Sequence, residues 1–107
     1  MKTDRELLGL AAKAAGIEIS RINEVGAWIA GSGGNYWNPL TDDGAALRLA
    51  VKLQLLLNVG TKASFVNSKA EGRMDKWARE QHKDSNPSAA TRRAIVRAAA
   101  TIGEAMP

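Results

Sequence analysis

Apolar residues recur at three- and four-residue spacing in three stretches of the chain, which is the pattern of amphipathic helices. The first stretch begins after Thr3 and Glu6, whose spacing is that of a capping box, and Gly16 stands where a left-handed C-terminal cap is needed. We predict that Thr41 is the N-cap of the second helix, which ends near Gln54. The apolar positions are Leu7, Leu10, Ala11 and Ala14 in the first helix, and Ala46, Leu49, Ala50 and Leu53 in the second, widened by Leu47 and Val51.

The third helical stretch lies at the C-terminal end of the sequence. Asn86 is suited to cap it, and Pro87 is preorganised for its first turn. Gly103 is expected to weaken its end. Its apolar face is formed by Ala94, Ile95, Ala98 and Ile102.

Shorter apolar runs bounded by turn residues predict strands between these helices. Residues 17–30 fit two short strands joined by a turn, and residues 36–40 fit a loop. Residues 55–59 and 62–68 fit a hairpin around Gly60. Residues 73–81 suit either a helix or a third strand, and their shortness favours the strand.

The predicted element order is therefore α-β-β-α-β-β-β-α. We expect an α+β fold, with one antiparallel sheet of about five strands and three helices packed on it, because that arrangement buries every apolar stripe. A chain of 107 residues fits a single domain spanning residues 1–107.

Composition narrows the classes of function. The chain has no cysteine, which excludes disulfides, thiolate metal sites and a cysteine nucleophile. No stretch approaches the ~20 apolar residues of a membrane span, and the charged N-terminus lacks the apolar segment of a signal peptide, so we expect a cytoplasmic protein. The net charge is +4, and residues 61–97 hold nine Lys and Arg against four Asp and Glu.

None of the candidate catalytic or metal-binding motifs is complete. The glycine-rich residues 31–34 lack the Lys-Ser/Thr ending of a phosphate-binding loop, which favours a simple hinge. Asp42 and Asp43 suit an acid–base or cation site, but the electrostatics of a helix start account for them better. His82 is the only histidine, is flanked by polar residues, and is expected to be solvated. A serine–histidine pair stays open, and we predict neither an enzyme nor a metal or cofactor.

The excess of basic residues has two explanations. A cationic stripe on the last helix can neutralise nucleic-acid phosphates. Alternatively, it is the solvated outer face of a helix that packs on a sheet. The candidate nucleic-acid contacts are Arg92, Arg93, Arg97, Lys76, Arg79 and Lys83.

The most unusual cluster is the aromatic sequence at residues 36–39. Tyr36, Trp37 and Pro39 are candidates for partner binding, because Trp and Tyr dominate the energetics of protein interfaces. The alternative is that Trp37 closes the edge of the core while Pro39 stiffens the entry to the second helix.

Three blocks of the sequence resemble a family of small phage and prophage proteins. The blocks are residues 6–16, residues 37–53 with Trp37-Asn38-Pro39-Leu40-Thr41-Asp42-Asp43-Gly44, and residues 90–100 with Ala90-Thr91-Arg92-Arg93-Ala94. The chain is similar to the phage α-β-α sandwich domain. This resemblance implies a phage accessory protein made in the cytoplasm of the bacterial host, and it brings no catalytic residues.

The sequence thus predicts a non-catalytic interaction module that binds a host or phage protein. The alternative is a weak nucleic-acid-binding protein that uses the basic C-terminal half.

Overall fold

In a computed structural model, which describes residues 2–23, 25–31, 34–60, 62–68, 78–82 and 86–106, the protein has an α+β fold. Three helices and six strands lie within these ranges. Their order is α1 (Asp4–Ala15), β1 (Ile19–Ile22), β2 (Ala27–Ile29), β3 (Tyr36–Trp37), α2 (Asp43–Lys52), β4 (Leu55–Val59), β5 (Ala63–Ser68), β6 (Ala78–Gln81) and α3 (Pro87–Ala105).

The strands form two small antiparallel sheets, so the prediction of one sheet of about five strands is wrong. The first sheet has the order β1-β2-β3, and the second has the order β4-β5-β6. Helix α2 separates the two groups of strands along the chain, and each sheet is a simple meander. The predicted α+β class with antiparallel strands is confirmed.

One segment predicted as a loop is a strand. Tyr36 and Trp37 pair with Trp28 and Ala27, respectively, and so form the edge of the first sheet. The prediction missed this strand because two residues are too few to show an alternating pattern. The predicted strand at residues 73–81 is found at Ala78–Gln81, and residues 73–77 lie outside the described residues.

The start of α2 differs by one residue from the prediction. The N-cap is Asp42, whose carboxylate accepts hydrogen bonds from the backbone N–H groups of Gly44 and Ala45. The Thr41 hydroxyl instead lies 3.4 Å from the carbonyl oxygen of Asn38. The Thr3–Glu6 capping box of α1 is confirmed.

The last helix begins as predicted and continues beyond the expected weak point. Asn86 caps α3 by accepting a hydrogen bond from the Ala89 N–H, and Pro87 is its first residue. Gly103 lies inside the helix, and it is buried where α3 crosses α1 at Leu10.

Small residues allow α1 and α3 to pack closely; α3 covers the second sheet, α2 contacts β4, and α1 contacts β1 of the first sheet. The buried core consists largely of alanines with a few larger aliphatic residues. Because alanine side chains are short, neighbouring helices approach closely without leaving voids. The buried cluster is formed by Leu7, Ala11, Ala15, Ala46, Leu49, Ala50, Val66, Ala94, Ile95, Val96, Ala98, Ala99 and Ala100.

Candidate protein-binding surface

Helix α2 carries a second apolar stripe that the rest of the fold leaves exposed. Ala46 and Leu49 face the core, whereas Leu47 is 57% exposed and Val51 is 68% exposed. Residues four positions apart lie on the same helix face, so Leu47 and Val51 are neighbours. The sequence analysis assigned both residues to a widened buried stripe, and the structure places them in solvent instead.

Strand β4 continues this exposed apolar surface. Leu57 is 40% exposed and Val59 is 58% exposed, although both lie on the face of the strand that also carries Leu55. Leu55 packs against the buried cluster. The side chains of β4 therefore leave the core progressively towards its C-terminal end, where the helices no longer cover the sheet.

A shallow groove of about 330 Å³ lies between α2, β4 and the first turns of α3. Its floor and walls are mostly aliphatic, and the ion pair between Asp43 and Arg92 lies at its rim. The residues lining it on α2 and β4 include Ala46, Leu47, Leu57 and Val59, and those on α3 include Pro87, Thr91 and Ile95.

We call Leu47, Val51, Leu57 and Val59 the α2–β4 surface. Seven large hydrophobic side chains are exposed in the described part of the chain; three of these four line the groove, and Val51 follows Leu47 by one turn on α2. Isolated exposed hydrophobic residues are common on soluble proteins, whereas contiguous patches mark interaction sites. The geometry therefore favours this surface as the place where another molecule binds.

The predicted aromatic cluster is divided between the two faces of β3. Trp37 is half-buried against the core cluster, and Pro39 is fully buried. Tyr36 points to the other face and is 55% exposed. Its ring lies 5.8 Å from that of Trp28, which the Arg21 guanidinium covers at 5.1 Å. Of the three candidate residues, only Tyr36 presents a largely exposed side chain.

The arginines of α3 are tied to acidic groups from other elements. Arg92 contacts Asp43 at 2.5 Å, and it also donates to the carbonyl oxygen of Leu40. Arg93 pairs with Asp4 at 2.8 Å and lies 4.0 Å from Glu80, and Glu80 also pairs with Arg97.

These ion pairs compensate much of the positive charge that the sequence concentrates in α3. Each guanidinium that binds a carboxylate has less capacity to neutralise a phosphate. Of the other candidate cations, Arg79 lies in β6 with an exposed side chain, while Lys76 and Lys83 lie outside the described residues.

His82 is half-buried, which contradicts the expectation that it is solvated. Its Nε2 atom lies 2.9 Å from the Ser64 hydroxyl, which lies 2.7 Å from the Thr91 hydroxyl. Ser64 has no solvent exposure. A nucleophile must reach its substrate, and this buried hydroxyl instead links β5 to Thr91 of α3 and to His82, which follows β6.

The acidic pair at the start of α2 has structural roles as well. Asp42 caps the helix, and Asp43 binds Arg92. Across the described residues, no group of three or more His, Asp or Glu side chains is arranged to hold a metal ion. None of the helices in that part of the chain combines the length and apolarity that a membrane crossing requires.

Comparison of the chain with protein-family models, curated proteins and solved structures finds no match. The resemblance to phage proteins therefore stays a prediction.

Proposed function

We propose that the protein is a non-catalytic interaction module, and that it binds a protein partner through the α2–β4 surface. The observation that carries this proposal is that Leu47, Leu57 and Val59 line one groove with exposed side chains, and exposed Val51 lies one helix turn from Leu47. Nothing in the helix pattern of α2 requires apolar residues at Leu47 and Val51, because the buried stripe is complete without them.

Covering these side chains would supply part of the free energy of binding. Fully burying an aliphatic side chain contributes about 1.5–3 kcal/mol. Since the four residues are already 32–60% covered, a partner that covers the rest gains roughly 1 kcal/mol from each. The total of about 4 kcal/mol offsets part of the ~4–15 kcal/mol that association costs, so a partner must also make contacts beyond these four residues.

The closed serine–histidine pair supports the non-catalytic part of the proposal. The Ser64 hydroxyl contacts His82, the only histidine of the chain, and its complete burial keeps it out of reach of a substrate. If the resemblance to phage proteins is correct, the partner is a host or phage protein in the bacterial cytoplasm.

Nucleic-acid binding through α3 receives less support. Arg92, Arg93 and Arg97 are each engaged by a carboxylate, whereas the α2–β4 surface has no intramolecular use among the described residues. The nucleic-acid alternative stays a prediction that a salt-dependent binding assay on DNA and RNA can test.

Site-directed photocrosslinking tests the proposal. A photoreactive amino acid replaces Val51, and in a matched control it replaces Val25, an exposed valine outside the α2–β4 surface. Irradiation in the lysate of a bacterial host should give a defined protein adduct from position 51 and none from position 25. Equal, unselective labelling from both positions would contradict the proposal.

A further inference from the structure

The outer edge of β4 is open as well as apolar. β4 pairs with β5 along one edge, and within the described part of the chain no strand pairs with the other. An open edge presents a row of unpaired backbone groups and is a template for another strand.

The register identifies which backbone groups face outwards. The Gly60 N–H donates to the Ala63 carbonyl at 2.9 Å, so these two residues form a hydrogen-bonded pair. Hydrogen-bonded and non-bonded pairs alternate along an antiparallel ladder. Leu56 and Asn58 therefore bond to β5, and the N–H and C=O groups of Leu55, Leu57 and Val59 point away from it.

Two of these three residues, Leu57 and Val59, belong to the α2–β4 surface. Leu55, Leu57 and Val59 share one face of the strand, because side chains alternate between faces. A strand added at this edge would satisfy their backbone groups and cover the exposed Leu57 and Val59 side chains at once.

We propose that the occupant of this edge is a second copy of the chain, paired antiparallel through β4 about a two-fold axis at Leu57. This inference rests on the proposed function, since it names the partner of the same surface. Leu57 then lies opposite Leu57 of the second copy, and Leu55 lies opposite Val59. The β4–β5–β6 sheets of the two copies then form one antiparallel sheet of six strands.

The position of α2 favours a second copy over an unrelated strand. Helix α2 borders the groove above β4, while α3 packs mainly on β5 and β6. An axis perpendicular to the sheet sets the two α2 helices side by side and antiparallel. The exposed Leu47 and Val51 side chains of both copies then lie on the same side of the joined sheet, and the same surface patch serves both copies, as a two-fold interface requires.

The charges on α2 are compatible with this arrangement. Asp42 and Asp43 lie at its N-terminal end, where Asp42 caps the helix and Asp43 also pairs with Arg92, and Lys52 lies at its C-terminal end; all three side chains are exposed. In an antiparallel pair, the acidic end of each helix approaches the basic end of the other. The attraction supports the antiparallel orientation and opposes a parallel one.

Sedimentation equilibrium over a range of protein concentrations tests the dimer. We expect a species of twice the 11.4 kDa chain mass. Val59→Lys and Val51→Lys each replace an apolar side chain that the second copy would cover with a charge that must lose its water, and they should weaken dimerisation by about tenfold or more. Val25→Lys is the matched control and should dimerise like the wild type. Circular dichroism and urea unfolding establish that each variant folds.

Cysteine substitution tests the register, because the natural chain has no cysteine. Leu57→Cys places two thiols across the axis, within the ~6 Å Cα separation of a disulfide. Under mild oxidation this variant should form a covalent dimer. Val59→Cys should not, since its two thiols are about four residues apart along the paired strands, or roughly 13 Å. A covalent dimer from Val59→Cys instead would overturn the register.

The outcomes separate this inference from the proposed function. A chain that stays monomeric at all concentrations, yet crosslinks a different protein from position 51, contradicts the second copy and leaves the interaction module standing. A monomer with no selective adduct contradicts both. An adduct of twice the chain mass from position 51 supports both.

Discussion

At the residue scale, the tightest constraint in the fold is the crossing of α1 and α3 at Gly103. A Cβ atom at Gly103 would fall well inside contact distance of the Leu10 carbonyl oxygen. That atom belongs to the backbone of a buried helix, so the neighbour cannot move aside as a flexible side chain would. Glycine is required here by the approach of the helices rather than by its own backbone angles.

We expect Gly103→Ala to destabilise the protein by about 2 kcal/mol, because overpacking outweighs the gain in helix propensity. Gly44→Ala is the control, since its Cβ would meet only the exposed guanidinium of Arg48. The control should be neutral or slightly stabilising. Urea unfolding measures both, and equal stabilities of the two variants would contradict the close approach.

A second residue-scale prediction concerns the buried hydroxyl of Ser64. Ser64→Ala removes the group that contacts both His82 and Thr91, and it leaves two polar side chains without that partner. We expect a loss of about 1–2 kcal/mol. Ser20→Ala, which removes an exposed hydroxyl bonded to the Trp28 carbonyl, should cost within about 0.5 kcal/mol. A Ser64 variant as stable as the Ser20 variant would show that the buried hydroxyl adds nothing.

At the scale of single elements, local signals predicted the helices well and the exposure of their faces poorly. The capping box at Thr3 and the Asn86-Pro87 sequence at the N-terminus of α3 act through neighbouring residues alone. The positions where these two helices begin can therefore be predicted from the local sequence. The exposure of Leu47 and Val51 depends on which helix packs where, and periodicity does not encode that. The sequence did contain one indication of this exposure: with Leu47 and Val51, the apolar residues of α2 cover a wider part of its circumference than a single packed face needs.

Strand β4 offered a similar clue to the candidate site. Its three consecutive leucines, at positions 55–57, depart from the alternation of a strand with one solvated face. The run predicted a strand correctly, yet its open edge became visible only with the sheet order. The α2–β4 surface therefore depends on the tertiary structure, because the local sequences of α2 and β4 do not show which of their apolar side chains are exposed.

The N-cap of α2 yields a prediction at the element scale, because Thr41 and Asp42 are both good capping residues by type. Asp42→Ala should destabilise the protein by about 1 kcal/mol, since it removes the acceptor for the N–H groups of Gly44 and Ala45. Thr41→Ala should change stability by less than about 0.5 kcal/mol.

Asp42→Asn serves as the conservative control for this cap, because asparagine caps helices about as well as aspartate. Chemical denaturation of the three variants measures the order of stabilities. A larger loss of stability from Thr41→Ala than from Asp42→Ala would show that Thr41 is the N-cap, as the sequence analysis predicted.

At the scale of the whole molecule, two separate sheets share one layer of helices. Helix α1 contacts both α3 and β1, and α3 contacts β5 and β6. Trp37 of the first sheet packs against the core cluster that also contains Val66 of the second. The single-sheet prediction failed because apolar patterns show which strands exist, but they do not show whether strands on either side of a helix pair with each other.

This shared core predicts that the chain unfolds as one cooperative unit, in keeping with a single domain of residues 1–107. In a Trp77→Phe variant, fluorescence reports on Trp28 and Trp37, which both belong to the first sheet. Far-UV circular dichroism reports mainly on the helices. The two urea transitions should coincide, and Gly103→Ala should shift both by the same amount although Gly103 lies outside the first sheet. A fluorescence transition at lower urea, unmoved by Gly103→Ala, would mean that β1–β3 unfolds independently of the helices.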